Sequence, residues 1–346
     1  MWTDRLRRLR NAAVWMALWG CCLGGCGGLQ AESDSSGGLR AEQDSSVGSV
    51  AERDSRGGPS AEWDSGVGSV AEQGSGVGPS AERDRGGVQW EGYLHLAGSS
   101  SMEKMTDALA ERFMERYPEV AVTVQFTGSS AGIEAVVNGR ADIGNASRGL
   151  TQEERENGAT GYVVALDGIA LCVDAANPVT GMTGQQLADI YTGEITNWSS
   201  IGGGDVPIVL IGREAGSGTR EAFEELLGIS GQCTYANELD STGAVMARIA
   251  STPGAIGYVS FDALNVSTNS DIQDTVHPLL LDGTAPTAEN VRTGKYPLCR
   301  PFLMVIRGEL AAQSELVRLW FRYVASEEGQ TVMERMGLVT VDGESR

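Results

Sequence analysis

The chain has 346 residues, a formal net charge of −20 and an apolar content of 41%, which is typical of a soluble folded protein. The N-terminal leader contributes +3 and residues 31–87 contribute −6, so the part from Val88 onward carries −17. This charge disfavours nucleic acid or an anionic membrane surface as a partner. With two histidines and no CxxC motif, the sequence also disfavours a zinc site, and we expect neither a metal nor a cofactor.

The first 25 residues have the pattern of a secretory signal. Four arginines between positions 5 and 10 precede an apolar run at 12–23. That run is shorter than the roughly 20 residues of a membrane-spanning helix. It ends in Leu-Gly-Gly-Cys26, which resembles a bacterial lipoprotein cleavage box. We therefore expect residues 1–25 to be a signal peptide and Cys26 to carry a lipid that anchors the protein outside the cytoplasm. Cleavage before Cys21 and an uncleaved anchor remain alternatives.

A ten-residue unit that begins with Ala-Glu recurs six times from Ala31. The units share no apolar position that stacking could bury, which argues against a solenoid. Their Gly, Ser and charged residues favour disorder. Residues 26–88 are therefore predicted to form a flexible tether.

From Gln89 onward, short β-like runs alternate with amphipathic helical segments, which predicts an α/β fold. The first strand is predicted at 93–97. Met105, Leu109, Phe113 and Tyr117 then lie four residues apart on one helix face, and Pro118 ends that helix. A second strand is predicted at 120–126, followed by a helix through Ile133 and Val137. The segment ADIGNAS, from Ala141, begins with a third strand, which completes a βαβαβ unit. Further strands are predicted at 162–173, 206–212, 255–260 and 301–307, and further helices at 183–191, 217–227, 243–251 and 312–336.

Three predicted strand-to-helix turns are rich in Gly and Ser: AGSSSM (97–102), TGSSAG (127–132) and REAGSGTR (213–220). Such turns lie at the carboxyl edge of a parallel sheet, where free N–H groups of a first helical turn and short hydroxyls can surround an oxyanion. One such turn is usually only a helix N-cap. Three in one chain, one of them beginning with an arginine, predict an anion site.

These turns resemble the ligand loops of the PstS family, the substrate-binding proteins of phosphate ABC transporters. The resemblance extends over residues 90–340 and includes YTGEITNW (191–198), PGAIGYVS (253–260) and YPLCRPFLMV (296–305). It implies a periplasmic-binding-protein-like fold of type II, with two α/β domains joined by a hinge around a ligand cleft. The expected domains are 89–165 with 262–346, and 166–261. It also implies a non-enzymatic protein whose partners are inorganic phosphate and the permease and ATPase subunits of an importer.

Carried over by position, the resemblance places ligand-binding hydroxyls and one arginine in the three turns. The implied phosphate ligands are Ser100, Ser101, Ser129, Arg213, Ser217, Gly218 and Thr219. Arg213 can present a planar fork of donors to two oxygens. A surface ion pair is the alternative for Arg213.

The sequence departs from the family pattern at one position. Well-known members have an aspartate after the third strand that accepts a hydrogen bond from the protonated phosphate, whereas this chain has Ser147. Because sulfate has no proton to donate, that acceptor underlies selectivity. Asp167, in ALDGIA, is a candidate replacement or a structural carboxylate at the hinge, and Ser147 can itself donate or accept. Ser241 is a weaker candidate with the pattern of an N-cap.

Other functions stay open on the sequence alone. The same two-domain ligand cleft could hold sulfate or molybdate, or it could belong to an adhesin or a sensor. Gly128 to Gly132 also match G-x-S-x-G, the nucleophile elbow of α/β-hydrolases, so a secreted esterase with Ser130 as nucleophile and His277 as base is a second class.

Overall fold

The computed structural model describes residues 89–265 and 275–341. The predicted signal peptide, Cys26 and the repeat tether lie outside these described residues. Within them, the helices are all too short or too polar to cross a membrane.

Strands and helices alternate through most of the described chain, as the sequence predicts for an α/β fold. Residues 89–265 and 275–341 contain twelve strands: β1 Gly92–Gly98, β2 Val120–Phe126, β3 Ile143–Ala146, β4 Ala159–Asp174, β5 Gly181–Met182, β6 Val209–Arg213, β7 Asn237–Leu239, β8 Ala255–Ser260, β9 Val276–Pro278, β10 Leu280–Leu281, β11 Cys299–Arg307 and β12 Val339–Thr340. The described part of the chain also forms ten α-helices: α1 Glu103–Arg116, α2 Ser129–Val137, α3 Gln152–Glu156, α4 Gly184–Tyr191, α5 Gly218–Leu227, α6 Thr242–Ala250, α7 Phe261–Asn265, α8 Ala288–Arg292, α9 Glu315–Val324 and α10 Glu327–Arg335.

A mixed sheet runs through the molecule in the order β2-β1-β3-β11-β4-β8-β6-β7. β1 pairs in parallel with β2 and β3, and β6 pairs in parallel with β8 and β7. β4 joins the two halves, because residues 159–168 pair with β11 and residues 169–173 pair with β8. The carboxyl ends of β1, β3 and β6 therefore carry loops in both halves of one sheet.

The described residues form two large hydrophobic cores, one in each half of the sheet. One core holds side chains from 94–165 and 302–338, among them Phe113 and Trp320. The other holds side chains from 169–298 and Val339, among them Phe223 and Tyr258. We call the parts around them the first lobe (89–165 and 299–338) and the second lobe (169–298).

The predicted domain boundaries stay a prediction, and the packing favours one amendment to them. The prediction places 262–346 in the first domain. Val276, Leu281, Val291 and Tyr296, however, contribute to the core of the second lobe. These contacts favour a boundary near the start of β11 over the predicted one at 262.

The predicted single helix at 312–336 is wrong, because the chain forms α9 and α10 instead. The side chain of Ser326 accepts a hydrogen bond from the Gly329 amide and caps α10. Gly329 also packs on the end of α9, where an added Cβ would lie 2.7 Å from the Val324 carbonyl oxygen. A serine cap and a glycine at this contact let the chain turn where apolar periodicity alone predicts continuation.

Candidate anion-binding site

Polar side chains from both lobes meet at the carboxyl ends of five strands. Ser99, Ser100 and Ser101 follow β1, Ser129 follows β2 and Ser147 follows β3, all in the first lobe. The second lobe supplies Arg213 and the turn up to Thr219 after β6, and Thr242 after β7. The side chains of the serines, the threonines and Arg213 in this set are all buried. Buried polar groups are retained where they have partners or a ligand to bind, so this cluster is the candidate site.

Hydroxyl groups contact one another directly across the two lobes. Ser101 Oγ lies 2.5 Å from Thr219 Oγ1 and 3.2 Å from Thr242 Oγ1. Thr242 Oγ1 also accepts a hydrogen bond of 3.3 Å from Arg213 Nη1. One side chain of the first lobe is thereby linked to three of the second.

Arg213 is held in a fixed orientation by its neighbours. Its Nε and Nη2 donate to the two carboxylate oxygens of Glu214 at 2.9 and 2.8 Å. The same two nitrogens also donate to the carbonyl oxygens of Leu239 and Asp240. This arrangement aims Nη1 at the hydroxyl cluster. With 1% of its surface exposed, Arg213 is not the surface ion pair that the sequence left as an alternative.

A second group of hydroxyls surrounds Ser147. Ser99 Oγ donates to Ser147 Oγ at 2.9 Å, and Ser129 Oγ lies 3.3 Å from it. The Ser147 amide donates to Ser129 Oγ at 3.1 Å. Gly218 of the other lobe fits against this group, because an added Cβ would lie 2.8 Å from Ser129 Cβ and 2.9 Å from Ser147 Oγ. Only a glycine allows this approach of the two lobes.

Three helices of nine or ten residues begin in the cluster: α2 at Ser129, α5 at Gly218 and α6 at Thr242. The first turn of a helix offers free N–H groups and roughly half a positive charge. Among the described residues, Ser100 Oγ is a buried hydroxyl without a hydrogen-bond partner. Ser217 Oγ instead caps α5 by accepting from the Arg220 amide. The cluster can thus donate hydrogen bonds to an anion from hydroxyls, amides and one guanidinium.

Comparisons of the sequence with known proteins place the chain in one family. A family model described as the PBP superfamily domain matches residues 61–328. The phosphate-binding protein PstS of Bacillus subtilis (strain 168) is 33% identical over 262 residues, which is 74% of this chain and 83% of that protein. The chain belongs to the PstS family.

Solved structures agree with membership of the PstS family. A Clostridium perfringens protein, described as a putative phosphate ABC transporter substrate-binding protein with bound phosphate, is 37% identical with a TM-score of 0.67. An ABC-type phosphate transport receptor from Vibrio cholerae is 32% identical with a TM-score of 0.58. Each match covers 72% of this chain and all of the other. The predicted fold class, a two-domain periplasmic-binding-protein-like fold of type II, is confirmed.

Asp167, the candidate replacement for the aspartate of other PstS members, lies in the middle of β4 and is fully buried. Arg300 Nε and Nη2 donate to its Oδ2 at 3.0 and 2.8 Å, and its Oδ1 accepts from the Phe261 amide at 3.1 Å. Arg300 Nη1 also reaches the Ser147 carbonyl oxygen at 3.4 Å. Asp167 is therefore connected to Ser147 through Arg300, an arrangement that suits a supporting carboxylate.

Ser99, Thr242 and Arg300 were not predicted from the sequence. Ser99 lies within the AGSSSM turn, but nothing in the turn distinguishes its role from that of its neighbours. Thr242 follows Ser241, which caps α6 by accepting from the Ala244 amide. Thr242 could have been predicted by looking for a hydroxyl residue in the first helical turn after each predicted N-cap. Arg300 carries no local signal, because its partner Asp167 is 133 residues away in the chain.

The serine–histidine pair of the esterase alternative is not assembled. Ser130 Oγ donates to Glu221 and accepts from Arg148. His277 Nε2 lies 3.1 Å from the Val179 carbonyl oxygen in the second lobe. Within residues 89–265 and 275–341, no group of three or more His, Cys, Asp or Glu side chains is placed to hold a metal ion.

Proposed function

We propose that the chain is an extracytoplasmic solute-binding protein that captures inorganic phosphate and delivers it to the permease and ATPase subunits of an ABC importer. The contact set that joins Ser101 of the first lobe to Thr219, Thr242 and Arg213 of the second carries the proposal. Donors from both lobes suit a tetrahedral oxyanion enclosed between them. The names of the PstS relatives supply phosphate as the anion.

The charge of the chain decides how phosphate is held. From Val88 onward the net charge is −17, so the long-range field repels an anion. Binding must come from short-range groups, which are Arg213, the hydroxyls and the first turns of α2, α5 and α6. Because each lobe supplies part of the set, phosphate binds the closed form more tightly than the open form and shifts the population toward closure. No covalent bond forms or breaks.

We also propose that a lipid on Cys26 anchors the protein to the cell membrane and that residues 26–88 tether the binding lobes to it. The cleavage box before Cys26 and the Gly/Ser-rich repeats support this arrangement. A flexible chain of this composition spans on the order of 40 Å by random-coil scaling. The lobes can then reach a permease in the same membrane.

Calorimetric titration of the protein with phosphate, sulfate and molybdate tests the function. We expect phosphate to bind with a 1:1 stoichiometry and more tightly than either of the other anions. Binding of sulfate or molybdate as tight as that of phosphate would reassign the cargo. Absence of phosphate binding would contradict the proposal.

The same titrations separate the roles of Ser147 and Asp167. We expect Ser147→Ala to weaken phosphate about tenfold, because the hydroxyl beside Ser99 and Ser129 is lost from the cluster. Asp167→Asn should mainly lower the free energy of unfolding, by about 1.5–3 kcal/mol, since a neutral amide replaces the carboxylate that accepts two charge-assisted hydrogen bonds from the buried Arg300. If Asp167→Asn instead relaxes the preference for phosphate over sulfate in a stably folded protein, Asp167 is the acceptor.

A further inference from the structure

Four side chains bridge the lobes beside the hydroxyl cluster without belonging to it. Arg148 of the first lobe makes an ion pair with Glu221 of the second lobe, Nε to Oε2, at 2.6 Å. Ser130 Oγ of the first lobe donates to Glu221 Oε1 at 3.1 Å and accepts from Arg148 Nη2 at 3.0 Å. Glu154 completes the group from the first lobe. We call Ser130, Arg148, Glu154 and Glu221 the clasp.

Glu154, in the same lobe, fixes the orientation of the Arg148 side chain. Arg148 Nη1 and Nη2 donate to the two carboxylate oxygens of Glu154 at 2.8 and 2.7 Å. Glu154 is fixed in turn, because it accepts from the Thr151 amide at the start of α3. Burial opposes ionisation of Glu154, but these hydrogen bonds outweigh it and lower its pKa. Arg148 is therefore paired within one lobe, independently of the other.

Glu221 is the part of the clasp that the second lobe adds. Its side chain is 35% exposed, whereas that of Arg148 is 7% exposed. Burial raises the pKa of Glu221, and the opposing effects of Arg148 and Ser130 are smaller. The Arg148–Glu221 contact is an ion pair without the alignment of a hydrogen bond. Because Arg148 is already desolvated and paired with Glu154, its ion pair with Glu221 adds no second large desolvation penalty for Arg148 and offsets part of the desolvation cost of Glu221.

Each clasp residue that crosses the cleft follows a cluster residue closely in the chain. Ser130 follows Ser129, Arg148 follows Ser147, and Glu221 lies two residues after Thr219 on α5. A backbone bond adds to the connection, because the Ser130 amide donates to the Gly216 carbonyl oxygen at 3.2 Å. Movement of these loops toward an anion therefore also brings the clasp together.

We propose that the clasp is a closure device that sets the affinity for the anion through contacts that do not touch the anion. Apparent affinity equals intrinsic affinity multiplied by the fraction of molecules that can close around the ligand. The clasp raises that fraction. Loss of the Glu221 carboxylate should then weaken binding even though the whole hydroxyl cluster remains.

Two readouts on Glu221→Gln test the proposal, with Glu225→Gln as the matched control. Glu225 lies one turn further along α5, is exposed and makes no clasp contact. Its substitution by Gln removes the same charge near Arg148. The first readout is the phosphate affinity and dissociation rate of the protein. The second is residue-resolved hydrogen exchange of the Ser130 amide without added anion. Because that amide lies in the first turn of α2, it has no hydrogen-bond partner within the helix. Its hydrogen bond to the Gly216 carbonyl oxygen is therefore what protects it from exchange.

We expect Glu221→Gln to weaken phosphate about tenfold, mainly through faster dissociation, and to speed exchange at Ser130 several-fold. Glu225→Gln should change both by less than twofold. The affinity readout rests on the proposed function, but the exchange readout does not. Unchanged exchange at Ser130 in Glu221→Gln would overturn the clasp whatever the ligand. If Glu221→Gln speeds exchange at Ser130 as expected but the unaltered protein does not bind phosphate, the result contradicts the proposed function and leaves the clasp standing.

Discussion

Replacement of Arg213 by methionine should weaken phosphate binding at least a hundredfold. Arg213 is the one guanidinium that donates into the described hydroxyl cluster, through Nη1 to Thr242. A charge-assisted hydrogen bond in a buried site contributes about 1.5–3 kcal/mol, and about 1.4 kcal/mol corresponds to a tenfold change in affinity. Loss of one donor and of the local positive charge together gives the expected factor. Isothermal titration of the variant with phosphate measures it.

Two further variants distinguish the hydrogen-bond geometry of Arg213 from its positive charge, and both of these from the net charge of the protein. Arg213→Lys keeps the charge but cannot pair with both oxygens of Glu214, so we expect an intermediate loss of ten- to fiftyfold. Arg248→Met removes one charge from an exposed position near the end of α6 and should leave affinity within twofold. Thermal unfolding of each variant checks that the fold is retained. A folded Arg213→Met protein that binds phosphate within threefold of the unaltered chain would contradict this account of the site.

The substitution Gly218→Ala should weaken phosphate binding at least thirtyfold while leaving the folded lobes as stable as before. The added Cβ would lie 2.8 Å from Ser129 Cβ and 2.9 Å from Ser147 Oγ, on the other side of the cleft. Contacts this short prevent the lobes from meeting, so closure around the anion is blocked. Alanine in a helix is otherwise favoured over glycine by about 0.5–1 kcal/mol, so unfolding should be unaffected or slightly harder.

Gly243 offers the matched control for Gly218. It lies in the first turn of α6, beside Thr242, and an added Cβ would meet nothing within 4 Å. Gly243→Ala should therefore keep phosphate affinity within twofold. Calorimetric titration and urea unfolding of both variants provide the measurements. Equal affinities for Gly218→Ala and Gly243→Ala would show that the close approach of the lobes at Gly218 is not needed for binding.

Much of the local structure could be predicted because it depends on local patterns. Four-residue spacing of apolar side chains placed α1, and Pro118 placed its end. Alternation of strands and helices placed the Gly/Ser turns at the sheet edge, where Ser129, Ser147 and Thr219 now lie together. The break between α9 and α10 was missed because it depends on the Ser326 cap and on the packing of Gly329.

The parts of the site that could not be predicted depend on contacts between distant segments. The pair of Asp167 with Arg300 joins residues 133 positions apart, and no spacing rule relates them. Ser101 meets Thr219 and Thr242 only because two lobes built on one sheet face each other. The clasp has the same origin, since Arg148 and Glu221 each look like ordinary surface charges in the sequence. Family resemblance identifies the loops, but the contacts between the loops come from the tertiary structure.

A tetrahedral anion should bind between the lobes at Arg213, Ser101, Ser129 and Thr219. Arsenate, a phosphate analogue with a strong anomalous signal, can be soaked into crystals of the protein to locate the anion. We expect one dominant anomalous peak within hydrogen-bond distance of Arg213 and of hydroxyls from both lobes. A dominant peak elsewhere on the molecule, or contacts from one lobe alone, would contradict this placement of the anion.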